Sequence, residues 1–475
     1  MKINQKINKN DLVNIKVACY KNKFRFTIPV SQIRKINAKS NDFIKIIIVK
    51  DSCFYQYYVR TPNKPKSRKN LQVRRTVPKK FVEKSYLKAG DIISLKLSLV
   101  RNIRTDELIK NYYLDLLAAI PRKTKSNKTI MVEVFNKNKE EWLNIWCCSG
   151  QGGNMKSIKL KRFIQINREL GEFFGLMQAE SSKNGVRFDF TIKFLNQIKL
   201  FRNVSKNFGI SESDWRWILF HRSEIDDSLL MNYKKKFSAA LNIDTKNISL
   251  IKNKHILDVV HSMYIPNTLL GQIMVTILTR LRKYISEKTI LNTYLKDFAT
   301  GFIIKYLLGD GTVILMKNSG LNVFISEGNI LLHQDIRNIL KLLNINSSSQ
   351  NIKIHLSTNF KSCIWFIENK AFLEHKENRR KLLQYFLSNY YSNLLYERLR
   401  LLYSSITIVE FADILYLSRY AAQKYLNDNV LRGFIDKIKE HKFLKFKISQ
   451  KGKYFIQLMN SAKKELSAFN DSKRN

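Results

Sequence analysis

Two carboxylates, Glu180 and Asp310, stand 130 residues apart in places where acids are seldom found. Each closes an apolar helical stretch: Leu170-Gly171-Glu172-Phe173-Phe174-Gly175-Leu176-Met177-Gln178-Ala179-Glu180 and Thr300-Gly301-Phe302-Ile303-Ile304-Lys305-Tyr306-Leu307-Leu308-Gly309-Asp310. The C-terminal end of a helix carries partial negative charge and disfavours an acid. Two such acids brought side by side would repel unless a cation sat between them. Mg²⁺ suits oxygen ligands and the neighbouring phosphates of a nucleic acid. Metal-assisted attack of water on a phosphodiester is the chemistry such a pair would carry.

The elements that must position these acids are visible in the spacing. Leu170, Phe173, Phe174 and Met177 form an apolar stripe at i, i+3, i+4 and i+7, which reads as a helix. Gly171, Gly175 and Ala179 form a second stripe at four-residue spacing. Glycine inside a helix costs ~1 kcal/mol relative to alanine, so close approach of another helix is expected there. The second stretch repeats the arrangement, with Gly301 in the place of Gly171 and Gly309 in that of Ala179. Lys305 stands where the first stretch keeps Gly175. Packed along these stripes, the helices would bring Glu180 and Asp310 together at one end.

Charge points to the same class of partner. The 475 residues hold 84 Lys and Arg against 38 Asp and Glu, a net charge of +46. A compact chain with that excess repels itself unless a polyanion is present, so nucleic acid is the expected partner, bound with strong salt dependence. A hydrophobic fraction of 44% excludes a disordered basic tail. No run reaches the ~20 apolar residues of a membrane span, and Met1-Lys2-Ile3-Asn4-Gln5-Lys6 lacks the apolar core of a signal peptide. No membrane partner and a cytoplasmic location are expected. The five cysteines and seven histidines show no zinc spacing. Ser149-Gly150-Gln151-Gly152-Gly153-Asn154-Met155-Lys156-Ser157 has Met155 where a phosphate loop needs glycine; no nucleotide cofactor is expected.

An internal repeat lies near the N-terminus. Thr27-Ile28-Pro29 with Asn41-Asp42-Phe43-Ile44 matches Thr76-Val77-Pro78 with Gly90-Asp91-Ile92-Ile93 at a constant offset of 49 residues. Each copy reads as a strand ended by proline, a basic helical turn, an Asx turn and an apolar strand. Between the copies Arg60-Thr61-Pro62-Asn63-Lys64-Pro65-Lys66-Ser67-Arg68-Lys69 reads as a solvated linker or an arm along phosphates. The pattern resembles the swapped-hairpin barrel of AbrB-like DNA-binding proteins, the better copy being Arg74-Arg75-Thr76-Val77-Pro78-Lys79-Lys80-Phe81-Val82 with Leu87-Lys88-Ala89-Gly90-Asp91. Those barrels need two motif copies, here supplied in tandem, and the resemblance places Arg74 and Arg75 among DNA-binding candidates.

From 160 to about 385 helices alternate with strands: Val186–Ile192, Asp214–Phe220, Thr312–Leu315, Leu321–Ile325, Ile352–Leu356 and Cys363–Ile367, with helices over Leu195–Phe208, Leu229–Leu241 and Leu331–Leu343. If the sheets read DNA, the outward faces would carry Arg187, Asp189, Lys193, Arg216 and Arg222 in the first half and Lys317, Asn322, Lys353 and His355 in the second. Lys183 and Lys353 are candidate charge stabilisers near the scissile phosphate. In the last hundred residues, helices over Thr407–Leu415 and Arg419–Leu431 precede a hairpin expected around Gln450-Lys451-Gly452, between Phe443–Ile448 and Lys453–Ile456. Helix-turn-helix plus hairpin resembles a winged helix, with Arg419, Gln423 and Lys424 facing a groove.

The paired acid stretches resemble the signature helices of LAGLIDADG homing endonucleases, with Phe173 to Ser181 and Ile303 to Gly311 over the motif. That resemblance implies a monomer of two αββαββα halves meeting at the paired helices, each half laying a sheet into the major groove of double-stranded DNA. It assigns catalysis and divalent metal, Mg²⁺ or another, to Glu180 and Asp310, and helix packing to Gly171, Gly175, Gly301 and Gly309. Lys305 and Ser181 depart from the pattern. The expected fold is α+β multidomain: an AbrB-like domain (1–100), a connecting β/loop region (101–160), tandem αββαββα repeats (161–290 and 291–390) and a winged helix-turn-helix (391–475). The expected function is site-specific hydrolysis of double-stranded DNA. A non-cleaving DNA-binding regulator and an intron-RNA maturase are the alternatives; intein splicing is not expected.

Overall fold

The computed structural model describes residues 12–471 except 21–22, 39–42, 52, 61–72, 78, 101–107, 122, 127–129, 148–156, 183–184, 186, 223, 257–258, 317–319, 391–392 and 441. It is a mixed α+β chain with several small sheets that divides into two compact units. The first comprises Met1–Leu170 with Glu180–Tyr284, the second Gly171–Ala179 with Ile285–Asn475. Among the described residues no helix is long and apolar enough to cross a membrane.

In the first unit the 49-residue repeat has a structural counterpart. Strand Lys23–Ile28 pairs antiparallel with Val73–Thr76, and Phe43–Lys50 with Ile92–Val100. Short helices Val30–Lys35 and Lys79–Lys84 lie between the strands of each copy. The register is unchanged when the copies are exchanged. Arg25 pairs with Thr76; moving the first forward and the second back by 49 gives Arg74 and Thr27, also paired. Ile46–Leu97 maps in the same way onto Leu95–Ile48. One apolar core results, in which Phe26, Ile28, Ile44, Ile46 and Ile48 meet Val77, Phe81, Ile93 and Leu95. In the 101–160 region, expected as a connecting β/loop region, Ile109–Lys110 and Tyr113–Asp115 pair in a separate three-stranded sheet with Phe163–Gln165, while another part joins the sheet of this core. Hairpin Ile130–Lys137/Glu140–Cys147 and strand Ile158–Lys161 extend it to seven strands through Cys53–Arg60.

Also in the first unit, a four-stranded sheet has the order Phe188–Ile192, Val260–Ile265, Arg216–His221, Ile248–Lys252. Its last two strands are parallel. Parallel neighbours need a crossover, and helix Asp227–Leu241 supplies it, N-capped by Asp226 and ended by Asn242 in the left-handed region at φ 50°.

The second unit carries the simpler order. Helix Thr293–Asp310 leads into antiparallel strands Gly311–Leu315 and Leu321–Ser326, then helix Ile330–Leu342, strands Ser347–Gln350 and Lys353–Leu356, and helix Phe360–Glu368. The stretch Cys363–Ile367, expected as a strand, is helical: Asn359 caps it, and Cys363, Phe366 and Ile367 are buried at helical spacing. Helix Ile408–Ile414 starts with a capping box between Thr407 and Glu410, and helix Arg419–Leu431 starts at Ser418. The hairpin that follows is Ile435–Glu440 with Phe443–Ile448. Residues 450–456, expected to turn and form a strand, instead open the long helix Gln450–Asp471. That helix is fastened by the fully buried Arg379, whose guanidinium donates to both oxygens of Glu465 at 2.9 and 2.8 Å and to the carbonyls of Phe366 and Ala371.

Candidate nucleic-acid interface

The glycine stripe of the first acid helix, Arg168–Glu180, does what its spacing implies. A Cβ added to Gly171 would lie 2.8 and 2.9 Å from the carbonyl carbon and Cα of Phe298. At Gly175 it would lie 3.0 Å from both atoms of Phe302, and in each case nearer still to the carbonyl oxygen. Only a hydrogen fits, so the backbones touch. The two contacts advance together along both helices, which therefore run parallel with their C-terminal ends pointing the same way. The partner backbone is that of Phe298 and Phe302, three residues before the positions of Gly301 and Lys305, which are the sequence counterparts of Gly171 and Gly175. Gly301 is buried within its helix and Gly309 half-buried.

Lys305 does not hold the helices apart. Its side chain, 9% exposed, reaches Glu374 with Nζ 3.1 Å from Oε1.

Near the last turns lies a buried polar cluster that no residue spacing announces. The carboxylate of Glu327, 2% exposed, accepts from Gln178 Nε2 at 3.2 Å, Tyr306 Oη at 2.5 Å and the Asn329 backbone N–H at 2.9 Å. Gln178 lies two residues before Glu180, and Tyr306 one helical turn before Asp310. His333 Nε2 donates to the Glu327 carbonyl at 2.9 Å, and its Nδ1 meets the Ser349 hydroxyl. A buried carboxylate with its bonds satisfied is costly to disturb, so the cluster locks Gln178 and Tyr306 in register.

The acids end their helices half-buried. Gly311 follows Asp310 directly and begins the edge strand of the second sheet. A Cβ there would come within 2.9 Å of the Leu307 carbonyl carbon and nearer its oxygen; the helix passes straight into the strand only because the residue is glycine. Carboxylate oxygens suit a hard divalent cation. Among the described residues no group of three or more His, Cys, Asp or Glu could hold a metal ion.

The exposed face of the second sheet gathers three of the four residues expected there. Register puts Thr312, Phe324, His355 and Ser348 in one row, Ile314 beside Asn322, and Ser326, Lys353 and Gln350 in another. The alternate residues Val313, Val323, Ile325, Ile354 and Leu356 are buried on the other face. Lys353 Nζ sits 4.4 Å from the Phe324 ring centroid, and His355 Nδ1 lies 3.0 Å from Asn322 Oδ1. A cation, a ring, an amide and an imidazole on a pleated polar face are groups that meet phosphates and base edges. Lys317, the fourth, lies outside the described residues, as do Lys183, the Asn41-Asp42 turn, the loop from 61 to 69, and 149–156.

On the first sheet, Arg216 is exposed and lies across Tyr264 from Asp189. Arg187 is half exposed, bonds Asp189 at 2.7 Å and covers the Tyr264 ring at 5.2 Å. Asp189 itself, expected to face outward, is 6% exposed: it also accepts from the Ser182 backbone N–H at 2.8 Å and so ties down the turn after Glu180. Lys193 is exposed just past the strand, and Arg222, also past its strand, pairs with Glu224 at 3.0 Å. In the C-terminal module Arg419, Gln423 and Lys424 lie exposed on one helix, opposite the buried Ala422 and Leu426. The strand position of Arg74 and Arg75 is described, their side chains are not.

No protein-family model matches this chain, and no curated protein matches it.

Proposed function

We propose that this protein is a DNA endonuclease: it binds double-stranded DNA and hydrolyses its phosphodiesters with a divalent metal, Glu180 and Asp310 being the catalytic acids. The observation that carries the reading is the parallel, glycine-faced contact of two apolar helices that each terminate in a carboxylate. Apolar helices packed in parallel have no structural use for an acid at the disfavoured dipole end, and here the choice is made twice. A net charge of +46 supplies the attraction for a polyanion.

In this reading the carboxylates of Glu180 and Asp310 hold Mg²⁺ or a similar ion, which would lower the pKa of bound water and neutralise charge on the phosphate. Lys353, Asn322 and His355 bind along the groove and orient the duplex on the second sheet; Arg187 and Arg216 do so on the first. The buried Glu327 keeps Gln178 and Tyr306, and through them the helix ends, from drifting. Arg419, Gln423 and Lys424 add affinity by tethering. The protein acts as a monomer, its two acid helices serving the two strands.

A second reading, a DNA-binding regulator that does not cleave, is favoured by the C-terminal order of helix pair and hairpin. Incubation of the full chain with a randomised duplex library and Mg²⁺ separates the two. Recovery of cut ends at a common sequence is expected; enrichment by binding with no cutting in Mg²⁺ or Mn²⁺ would leave the regulator.

A further inference from the structure

We infer that Asn322 and His355 form a single base-reading unit, and that the base they select in duplex DNA is adenine. The inference rests on the reading of the second sheet as a DNA-binding face. The two side chains come from adjacent strands, Leu321–Ser326 and Lys353–Leu356, and are held together by the contact between His355 Nδ1 and Asn322 Oδ1 at 3.0 Å. The His355 ring rests against the buried Phe324 ring, centroids 5.6 Å apart, and Lys353 Nζ also lies over Phe324. Both side chains are half-exposed on the open face.

Sharing that one bond fixes what each partner offers to a ligand. An amide oxygen cannot donate, so when Asn322 Oδ1 meets Nδ1 the imidazole carries its proton there. His355 Nε2 is then an acceptor, and the Asn322 NH₂ is the outward donor. If the amide is turned over, Asn322 Nδ2 donates to Nδ1, the ring proton moves to Nε2, and the roles exchange. In both arrangements the neutral pair presents one donor beside one acceptor. In the major groove adenine alone among the purines offers the complement, N7 as acceptor and N6–H as donor; guanine offers two acceptors, N7 and O6.

The test is enrichment of bound duplexes from a randomised library by the full chain. One position in the recovered site should favour adenine over guanine by roughly tenfold or more. Asn322→Ala and His355→Ala should each abolish the preference at that position and leave the others. Asn322→Asp, which keeps the shape and loses the donor, should turn the position toward cytosine, whose N4 amine donates. A recovered site in which no position responds to either alanine variant overturns the inference and leaves DNA binding standing. Failure of the wild type to enrich any duplex overturns both.

Discussion

Replacing Gly175 by alanine sets two effects of opposite sign against each other. In an isolated helix the change is favourable by about 1 kcal/mol, because glycine loses more backbone freedom on folding. Here the added Cβ would meet the Cα and carbonyl carbon of Phe302 at 3.0 Å, against an ordinary contact that begins at 3.4 Å, and would press harder on the carbonyl oxygen. The obstacle is backbone, not the end of a flexible side chain, so the helices must part by at least 0.4 Å, the difference of those two distances. Such a gap forfeits a substantial fraction of each dispersion contact along the seam. One of those contacts is the pair of rings Phe174 and Phe298, with centroids 6.2 Å apart. Overpacking of this kind costs about 1–3 kcal/mol, which offsets the propensity gain and leaves a net loss of up to about 2 kcal/mol. Hydrogen exchange of the full chain, read on peptides covering 171–179 and 293–310, measures it locally. Protection should fall in both segments together, whereas Gly328→Ala, where an added Cβ meets nothing within 4 Å, should leave them unchanged. A Gly175→Ala protein with greater protection in these helices would refute the close-approach argument.

Other expectations follow from the same structure. Tyr306→Phe removes one of the donors to the buried Glu327 and should destabilise the second unit by about 1–3 kcal/mol in urea unfolding, with a smaller loss for Gln178→Leu because that bond is longer. Glu465→Gln leaves the Arg379 guanidinium buried without its counter-charge and should cost about 3–5 kcal/mol, seen as early release of helix Gln450–Asp471 in hydrogen exchange. The Glu410 carboxyl is held below its ordinary range chiefly by the Thr407 backbone N–H of the capping box. Because the folded value is the lower one, its contribution is complete above the ordinary carboxylate value of about 4.3 and is lost as pH falls through the depressed value. The difference in melting temperature between wild type and Glu410→Gln should therefore be constant at neutral pH and shrink on acidification. Duplex affinity should fall about 10³-fold or more between 50 and 200 mM salt if six or more phosphates are neutralised; a flat salt response would contradict the role given to the basic excess.

Much of this architecture was legible in the residues. The acid helices announce themselves by apolar and glycine stripes at helical spacing, and the N-terminal repeat by its constant offset, because both patterns are local or strictly periodic. Cys363–Ile367 misleads, since a short run of apolar residues has no period of its own; only the buried set Cys363, Phe366 and Ile367 tells helix from strand. Gln450-Lys451-Gly452 looks like a hairpin turn, yet Gly452 is buried on a helix, where a Cβ would come within 3.2 Å of the Phe434 carbonyl carbon. The true turn, between Glu440 and Phe443, contains no glycine. Asp189 was misplaced because alternation fixes which face a strand residue occupies, not whether a neighbour such as Arg187 will cover it. The Glu327 cluster was beyond reach: Gln178, Tyr306, His333 and Ser349 come from four separate elements and Glu327 from a loop, and no spacing in the chain connects them.

Whether two helix-terminal acids carry out phosphodiester hydrolysis is decided most directly by single-turnover cleavage of a selected duplex in Mg²⁺, comparing the wild type with the Glu180→Ala/Asp310→Ala double variant at equal DNA occupancy. The wild type should cut both strands, and the double variant should bind the duplex and cut neither. A double variant that cuts at the wild-type rate would place the chemistry elsewhere in the molecule.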